Sequence, residues 1–286
     1  MTDFLGLWWV FPSSVLFATV AVGAGVSGAL FFSPFFMIVV GLSPAQAVGA
    51  GLLTESFGMG NGLRSYVRRG LVDYATARWL LVGAVPFALA GALVAHRVPD
   101  GVLRGVFGAG LVALASFLLL QRAPETCEPG EDAGELMDRK SAGKGTTVIE
   151  AADGTVFEYP TCWRLPGVLL ASVGGALTGL VSAGLPEIST TQLVVRCRIP
   201  PRVAVATSVF TLAITAVAAA AVHAAAAAPA WSVVGWSVPG VLVGSTLGSR
   251  VGEWLPSDLM ETVLGGVFAA VGLLVLVLQF TGRYGG

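Results

Sequence analysis

Charge is what this 286-residue sequence has least of. Asp, Glu, Lys and Arg make up 12% of it, against 55% hydrophobic residues, and that balance cannot cover a water-soluble domain with polar groups. With a mean hydropathy of +0.81, the chain reads as an integral membrane protein. Cysteine is scarce as well. Cys127, Cys162 and Cys197 are odd in number and lack CxxC spacing, which speaks against a disulfide framework or a structural zinc site. Cys197, set among the arginines of RCRIPPR, could still meet a sulfur-containing ligand. No metal, cofactor or nucleic-acid partner is called for. The opening MTDFLGLWW has neither the basic n-region nor the small-residue cleavage site of a secretory signal, so the first apolar stretch is expected to stay in the mature protein.

Hydrophobic runs are abundant. Crossing about 30 Å of hydrocarbon takes roughly 20 residues. Runs near that length lie at 13–32, 45–63, 77–95 and 102–121, and again at 165–183, 202–224, 230–249 and 258–280. Two apolar pieces, 34–42 and 186–195, are too short to cross alone and read as half-helices or re-entrant segments. The tryptophans, Trp8, Trp9, Trp79, Trp163, Trp231, Trp236 and Trp254, fall near run ends, as an aromatic belt requires.

The chain also repeats itself. GAGVSGALFFSP (23–34) returns as GGALTGLVSAGLP (174–186), so that Pro34 answers to Pro186. SPAQAVGAGLLTES (43–56) aligns with PPRVAVATSVFTLA (200–213), and VPFALAGALVAHRV (85–98) with VPGVLVGSTLGSRV (238–251). Two related halves, each broken by Gly and Pro in its first apolar segment, are the sequence signature of a secondary transporter. The expected fold is all-α and polytopic, with about eight transmembrane helices plus two short broken or re-entrant segments. Residues 1–122 and 165–286 form the halves. Between them, residues 123–163 hold nine acidic and three basic side chains, so 123–164 reads as a polar connector. Its Asp153-Gly154 pair, between two β-prone runs, suggests a small hairpin.

Arginine placement speaks for inversion of the two halves. Arg64, Arg68, Arg69 and Arg78 flank one loop, whose partner, HAAAAAPAW, has no basic residue. Conversely GLSPAQ is uncharged while RCRIPPR carries Arg196, Arg198 and Arg202. Equivalent loops of opposite charge fit halves inverted in the membrane with the arginine-rich end in the cytoplasm. Arg97 and Arg104 then lie outside, against the trend. Inversion needs an odd number of crossings per half, or a re-entrant piece that changes the count.

The Gly-rich segments ending in Pro34 and Pro186, the four-span halves and the polar connector resemble the sulfite exporter TauE/SafE family of anion permeases. The resemblance covers nearly all of the chain outside 123–163. It implies movement of small, often sulfur-containing oxyanions, such as sulfite or organosulfonates, across the cytoplasmic membrane.

Every Lys and Arg lies near a run end or in a loop, so an anion at mid-depth would have to be held by backbone. A helix restarting after a Gly/Pro break presents unpaired N–H groups and the positive end of its dipole. Gly23, Gly25 and Gly28, with Gly174, Gly175, Gly179 and Gly184, are candidates to line the path; close helix packing is the alternative for each. Ser27, Ser33, Ser182, Ser189, Thr190 and Gln192 beside Pro34 and Pro186 are candidate donors, as are Thr54 and Thr211 at equivalent repeat positions. Gln46, Ser56, Asn61, Ser208 and Thr215 are further ones, and all of these hydroxyls also have a structural role open to them in bonding back to their own helix. More of the polar contacts are expected from the second half.

Two carboxylates stand in apolar sequence. Glu55 lies mid-span and Glu187 directly follows Pro186, and an ionisable group at that depth is expensive. A neutral acid can donate to an anion that the ionised form would repel, which suits proton coupling; sodium stays open. A helix–helix hydrogen bond for Glu55 and a helix cap for Glu187 are the structural alternatives. A passive channel or a cation carrier using both carboxylates competes with the permease. More remotely, Gly25-Val26-Ser27-Gly28 with His223 has the form of an intramembrane serine protease, though Ser27 lies deep and His223 and His96 lie near run ends.

Overall fold

The computed structural model describes residues 4–24, 26–120, 146–226, 230–251 and 257–280. A short 3-10 turn at Phe4–Leu7 leads into α1 (Val10–Ala24), α2 (Ala29–Ile38), α3 (Pro44–Arg68), α4 (Tyr74–Ala95) and α5 (Asp100–Leu120). After a two-stranded hairpin come α6 (Arg164–Val181), α7 (Leu185–Thr191) running into a π-helical turn (Gln192–Arg196), α8 (Pro201–Ala226), α9 (Trp231–Val251) and α10 (Ser257–Phe280). The long apolar runs read from the sequence fall mainly on long helices, except that the first, 13–32, is divided between α1 and α2. Four of the described helical stretches, Phe4–Val22, Tyr74–Ala95, Arg164–Val181 and Pro201–Ala226, are long and apolar enough to cross a bilayer. The first run ends sooner than its hydropathy suggests, because the chain leaves α1 at Ala24 and α2 turns back along it.

The fold-back is visible in the contacts. Trp9 meets Phe35 edge to face at 5.6 Å, and Phe17 meets Phe31, Phe32 and Phe35, so α2 descends along α1 to the end where α1 began. The pair α6 and α7 does the same, since Gly174 lies against Leu185 and the Gln192 amide reaches the Gly167 carbonyl. The two helical hairpins enter the bundle from opposite ends. Gly58 packs on Val241 and Thr54 bonds Ser237, so α3 and α9 run alongside; Gly49 packs on His223, so α3 and α8 run opposed. Helix α1 lies along α9, α6 along α4, and α5 opposes α10. Helix α8 packs on α4 as α3 packs on α9.

Small residues make the closest of these contacts. Gly175 and Gly179 of α6 face the carbonyls of Ala84 and Ala88 on α4, where side chains would hold the backbones apart. Close packing is one of the two roles that the sequence leaves open for these glycines.

Strands β1 (Thr146–Glu150) and β2 (Val156–Pro160) pair antiparallel, with Glu150 opposite Val156. This hairpin rests on the arginine-rich end of the bundle. The Ala152 N–H donates to the Arg69 carbonyl at 2.9 Å, and the buried Tyr159 hydroxyl donates to Asp73 Oδ2 at 3.1 Å. Burial and the Asp73 carboxylate push the Tyr159 phenol well above its ordinary value. Asp73 also caps α4 through the Thr76 N–H, and its own N–H reaches Thr207 at the start of α8. The loop after α3 and the start of α8 therefore share one end, and Arg64, Arg68 and Arg69 lie with Arg196, Arg198 and Arg202. Arg97 follows α4 at the other end, where His96 meets His223.

A disulfide joins Cys162 to Cys197, with a Cα–Cα separation of 5.2 Å, which corrects the expectation from cysteine count and spacing. The two lie 35 residues apart and meet because α6 and α7 fold back to a common base. Cys127 lies outside the described residues.

Gly179→Ala is expected to destabilise the protein by roughly 1–3 kcal/mol, because a methyl there falls on the Ala88 carbonyl. Gly110→Ala, facing open space on α5, should be neutral or slightly stabilising. Thermal unfolding in detergent, followed by tryptophan fluorescence, separates the two.

Candidate functional site

The two helix breaks meet inside the bundle. At the first, α1 ends at Ala24, and Ser27 and Gly28 lead into α2. At the second, Ser182 takes a left-handed conformation (φ 59°, ψ 23°) and Gly184 has φ +114°, a backbone that favours glycine at the latter position. A serine held left-handed costs of order 1–3 kcal/mol and persists where its surroundings over-determine it. Here the Ser182 and Ser33 hydroxyls lie 2.6 Å apart, both fully buried, so the tip of one hairpin is bonded to the body of the other.

Each break carries a carboxylate at the start of its second helix. Glu55 of α3 accepts at Oε1 from the Ser27 hydroxyl at 2.6 Å and from the Ala29 N–H at 3.4 Å. Glu187 reaches back with Oε2 to the Gly184 N–H at 3.1 Å. Both are thus seated on the groups that a restarted helix would offer an anion. The other oxygens, Glu55 Oε2 and Glu187 Oε1, are buried without a hydrogen-bond partner. The Ser27 N–H faces the Glu187 carboxylate, and the two carboxylates lie within electrostatic range of each other. Ser27 therefore stands between them, its hydroxyl bonded to Glu55 and its amide facing Glu187.

A cavity of about 70 Å³ opens beside this junction, small against the space that a drug-sized ligand fills. Ser27, Gly28, Glu55, Pro186, Tyr66 and Ser245 are among its lining, and the rest is mainly Ala, Val, Leu and Phe. It extends from the breaks to Tyr66 in the last turns of α3, toward the arginine-rich end.

Of the residues singled out from sequence, Ser27, Gly28, Glu55 and Pro186 line this cavity. Ser33 and Ser182 meet beside them, and Gly184 shapes the second turn. Pro34 is buried within α2. Thr54 bonds Ser237 across to α9 at 2.7 Å. Thr211 and Thr215 donate to carbonyls one turn back in α8, and Ser56 does so in α3. Gln46 accepts from Ser43 near the start of α3. Gly179 packs on α4, and its carbonyl is 2.9 Å from His223 Nε2.

The polar run after Pro186 contributes less than expected. Gln192 turns to Gly167 on α6, Ser189 is buried off the cavity lining without a partner, as is Ser208 on α8, and Thr190 is half-buried. Helix α7 lies along α6, and the turn that follows it bonds to α6 through Gln192. Gly25 and the Asn61 side chain lie outside the described residues. Sequence reading missed Ser237, Ser245 and Tyr66; Ser237 and Tyr66 enter only through contacts between helices far apart in the chain, which no local pattern encodes. Ser27 bonds Glu55 while His223 bonds His96 and Gly179, so the serine and histidine of a protease do not pair.

An apolar helical bundle with two broken hairpins meeting at a buried and a half-buried carboxylate is the architecture of a multi-pass membrane transporter. Residues 10–275 match the family described as Sulfite exporter TauE/SafE, and the chain belongs to that family, one of transporters and not of enzymes. It is 22% identical to the "Probable membrane transporter protein YunE" of Bacillus subtilis (strain 168) over 247 residues, 86% of each chain. Over 85 residues it is 33% identical to the "Probable membrane transporter protein ORF9" of Sinorhizobium sp, covering 30% of this chain and 33% of the relative. No solved structure matches significantly.

The Ser33–Ser182 contact should appear in a double-mutant cycle. Ser33→Ala and Ser182→Ala are expected to couple by about 0.6 kcal/mol, as hydrogen bonds between membrane helices do. Unfolding of both single variants and the double variant in mixed micelles checks this; strict additivity would show that the hairpins are not bonded there.

Proposed function

We propose that this protein is a secondary transporter of small sulfur-containing oxyanions, sulfite or organosulfonate in class, in the cytoplasmic membrane. Residues 1–122 and 165–286 are read as inverted repeats joined by the 123–164 connector. Each repeat is read as four long helices with a short broken or re-entrant segment after the first, and inversion of the second repeat follows if that segment changes the crossing count to an odd number. The arginine-rich end is cytoplasmic by charge bias, and access alternates by movement of one half against the other.

One observation carries the reading. Glu55 occupies the start of α2, and Glu187 the start of α7, the positions that an oxyanion would take. In this reading the protein's own carboxylates hold the place of the substrate. Protonating Glu55 removes the negative charge from the Ser27 hydroxyl and the Ala29 N–H and frees them for an anion's oxygens, while the neutral acid becomes a donor. Binding of anion and proton is then linked by competition for the same groups. The family description and the printed names of the relatives support the transporter class, and the family description alone supports a sulfur-oxyanion substrate.

The unpartnered Glu55 Oε2 and Glu187 Oε1 favour one rival, a carrier in which a cation sits between the carboxylates, with sodium the natural ion. Flux separates the readings. In proteoliposomes, labelled sulfite or a small sulfonate should move saturably and respond to an imposed pH gradient, and Glu55→Gln and Glu187→Gln should each uncouple or abolish that flux. Cation flux with no anion flux would favour the rival, and unsaturable flux indifferent to the gradient would indicate a passive channel.

A further inference from the structure

The Cys162–Cys197 disulfide lies outside the site and closes the base of the hairpin whose tip forms half of it. Cys162 stands two residues before α6, and Cys197 directly follows the turn that ends at Arg196. The bond therefore clasps the two legs that lead up to Gly184, Pro186 and Glu187. Two weaker links accompany it, from Arg196 Nη2 to the Trp163 carbonyl at 3.2 Å and from Gln192 Nε2 to the Gly167 carbonyl at 3.4 Å.

The environment of the bond is lopsided. Cys162 is half-buried between the exposed Thr161 and Trp163, whereas Cys197 is 4% exposed. Arg196 Nη2 lies 3.7 Å from Cys197 Sγ, and Arg164, Arg196 and Arg198 are exposed around the clasp. A nucleophile reaches Cys162 more readily, and a guanidinium waits beside the sulfur that would leave. A thiolate next to arginine is stabilised, and a better leaving thiolate speeds exchange. The arginines also concentrate anions at the bond.

We propose that Cys162–Cys197 is a sulfite-cleavable clasp, and that Cys162 is a site of S-sulfonation on the arginine-rich end of the protein. The lone pair on the sulfite sulfur forms a bond to Cys162 Sγ. The Cys162–Cys197 bond breaks, and its electron pair leaves on Cys197 as a thiolate beside Arg196. The sulfite sulfur is oxidised and the Cys197 sulfur reduced, so no further oxidant is required. The dianion becomes one S-sulfonate and one thiolate, which conserves charge. Cleavage frees the legs of the hairpin and loosens its tip, so that the transported anion itself relaxes half of the site. The choice of sulfite rests on the oxyanion reading above; the lopsided clasp does not. A disulfide on a cytoplasmic face is of the labile, signalling kind, which suits cleavage there.

The test uses the full chain in detergent, first mapped under non-reducing conditions after thiol blocking to establish the 162–197 bond. Incubation with sulfite at neutral pH, without denaturant, should add one sulfonate to the peptide containing Cys162 and make Cys197 alkylatable. Hydrogen exchange over 185–197 should then rise severalfold. A monothiol control should open the bond without adding the sulfonate mass, and Arg196→Gln should slow sulfonation severalfold in protein of unchanged thermal stability. An unbridged pair of thiols in the starting protein, or a bond that sulfite opens only after denaturation, would overturn the clasp. So would sulfonate found on Cys197, or unchanged exchange over 185–197. Sulfite flux with an inert disulfide defeats the clasp and leaves transport standing; S-sulfonation with faster exchange but no oxyanion flux does the reverse.

Discussion

Two carboxylates seated on two helix starts, Glu55 buried and Glu187 half-buried, are the constraint around which the rest of this structure is arranged. An apolar bundle tolerates an interrupted helix only where the freed N–H groups find partners away from lipid. Here Glu55 and Glu187 satisfy them from inside the protein. Each carboxylate is left with one buried oxygen that no group satisfies. A charge-assisted hydrogen bond contributes roughly 1.5–3 kcal/mol, while desolvation of an ion costs several kcal/mol. An arrangement that only stabilised the fold would be better served by apolar residues; in the proposed function, a ligand or a proton that comes and goes relieves that imbalance.

The remaining geometry keeps those two starts together. The helical hairpins enter from opposite ends and touch through Ser33 and Ser182, and glycines on α6 let that hairpin lie close against α4. At the arginine-rich end, Asp73 gathers the cap of α4, the start of α8 and the β-hairpin into one cluster, while the Cys162–Cys197 bond closes the second hairpin's base. The bundle is bonded at its middle and clasped at one end. In the proposed cycle, movement of one half against the other changes the middle contact, and the clasp limits how far the legs part.

Much of this could be read from residues alone. Long apolar runs give helices wherever glycine and proline do not interrupt them, so the eight long elements and the two short ones follow from hydropathy and breaks. The repeated Gly/Pro segments located both hairpin tips, and the cost of burying charge picked out Glu55 and Glu187. What stayed hidden depends on which helices become neighbours. Ser237 is an unremarkable serine until α9 packs on α3, and Tyr66 lines a cavity only because α3 passes both breaks on its way to the arginine-rich end. The run from Ser189 to Gln192 is polar for its depth in the sequence, yet the turn after α7 sets Gln192 onto α6. The disulfide escaped notice because its partners share no motif and meet only when the chain reverses at Gly184.

The most direct test of the exchange between carboxylate and oxyanion is calorimetric titration of the detergent-solubilised protein with sulfite, repeated in buffers of different ionisation enthalpy. If the anion takes the place of Glu55, binding heats should vary with the buffer because protons enter with the anion, and Glu55→Gln should remove that variation. Tight sulfite binding with the same heat in every buffer would contradict the exchange and return the carboxylates to a structural or cation-binding role.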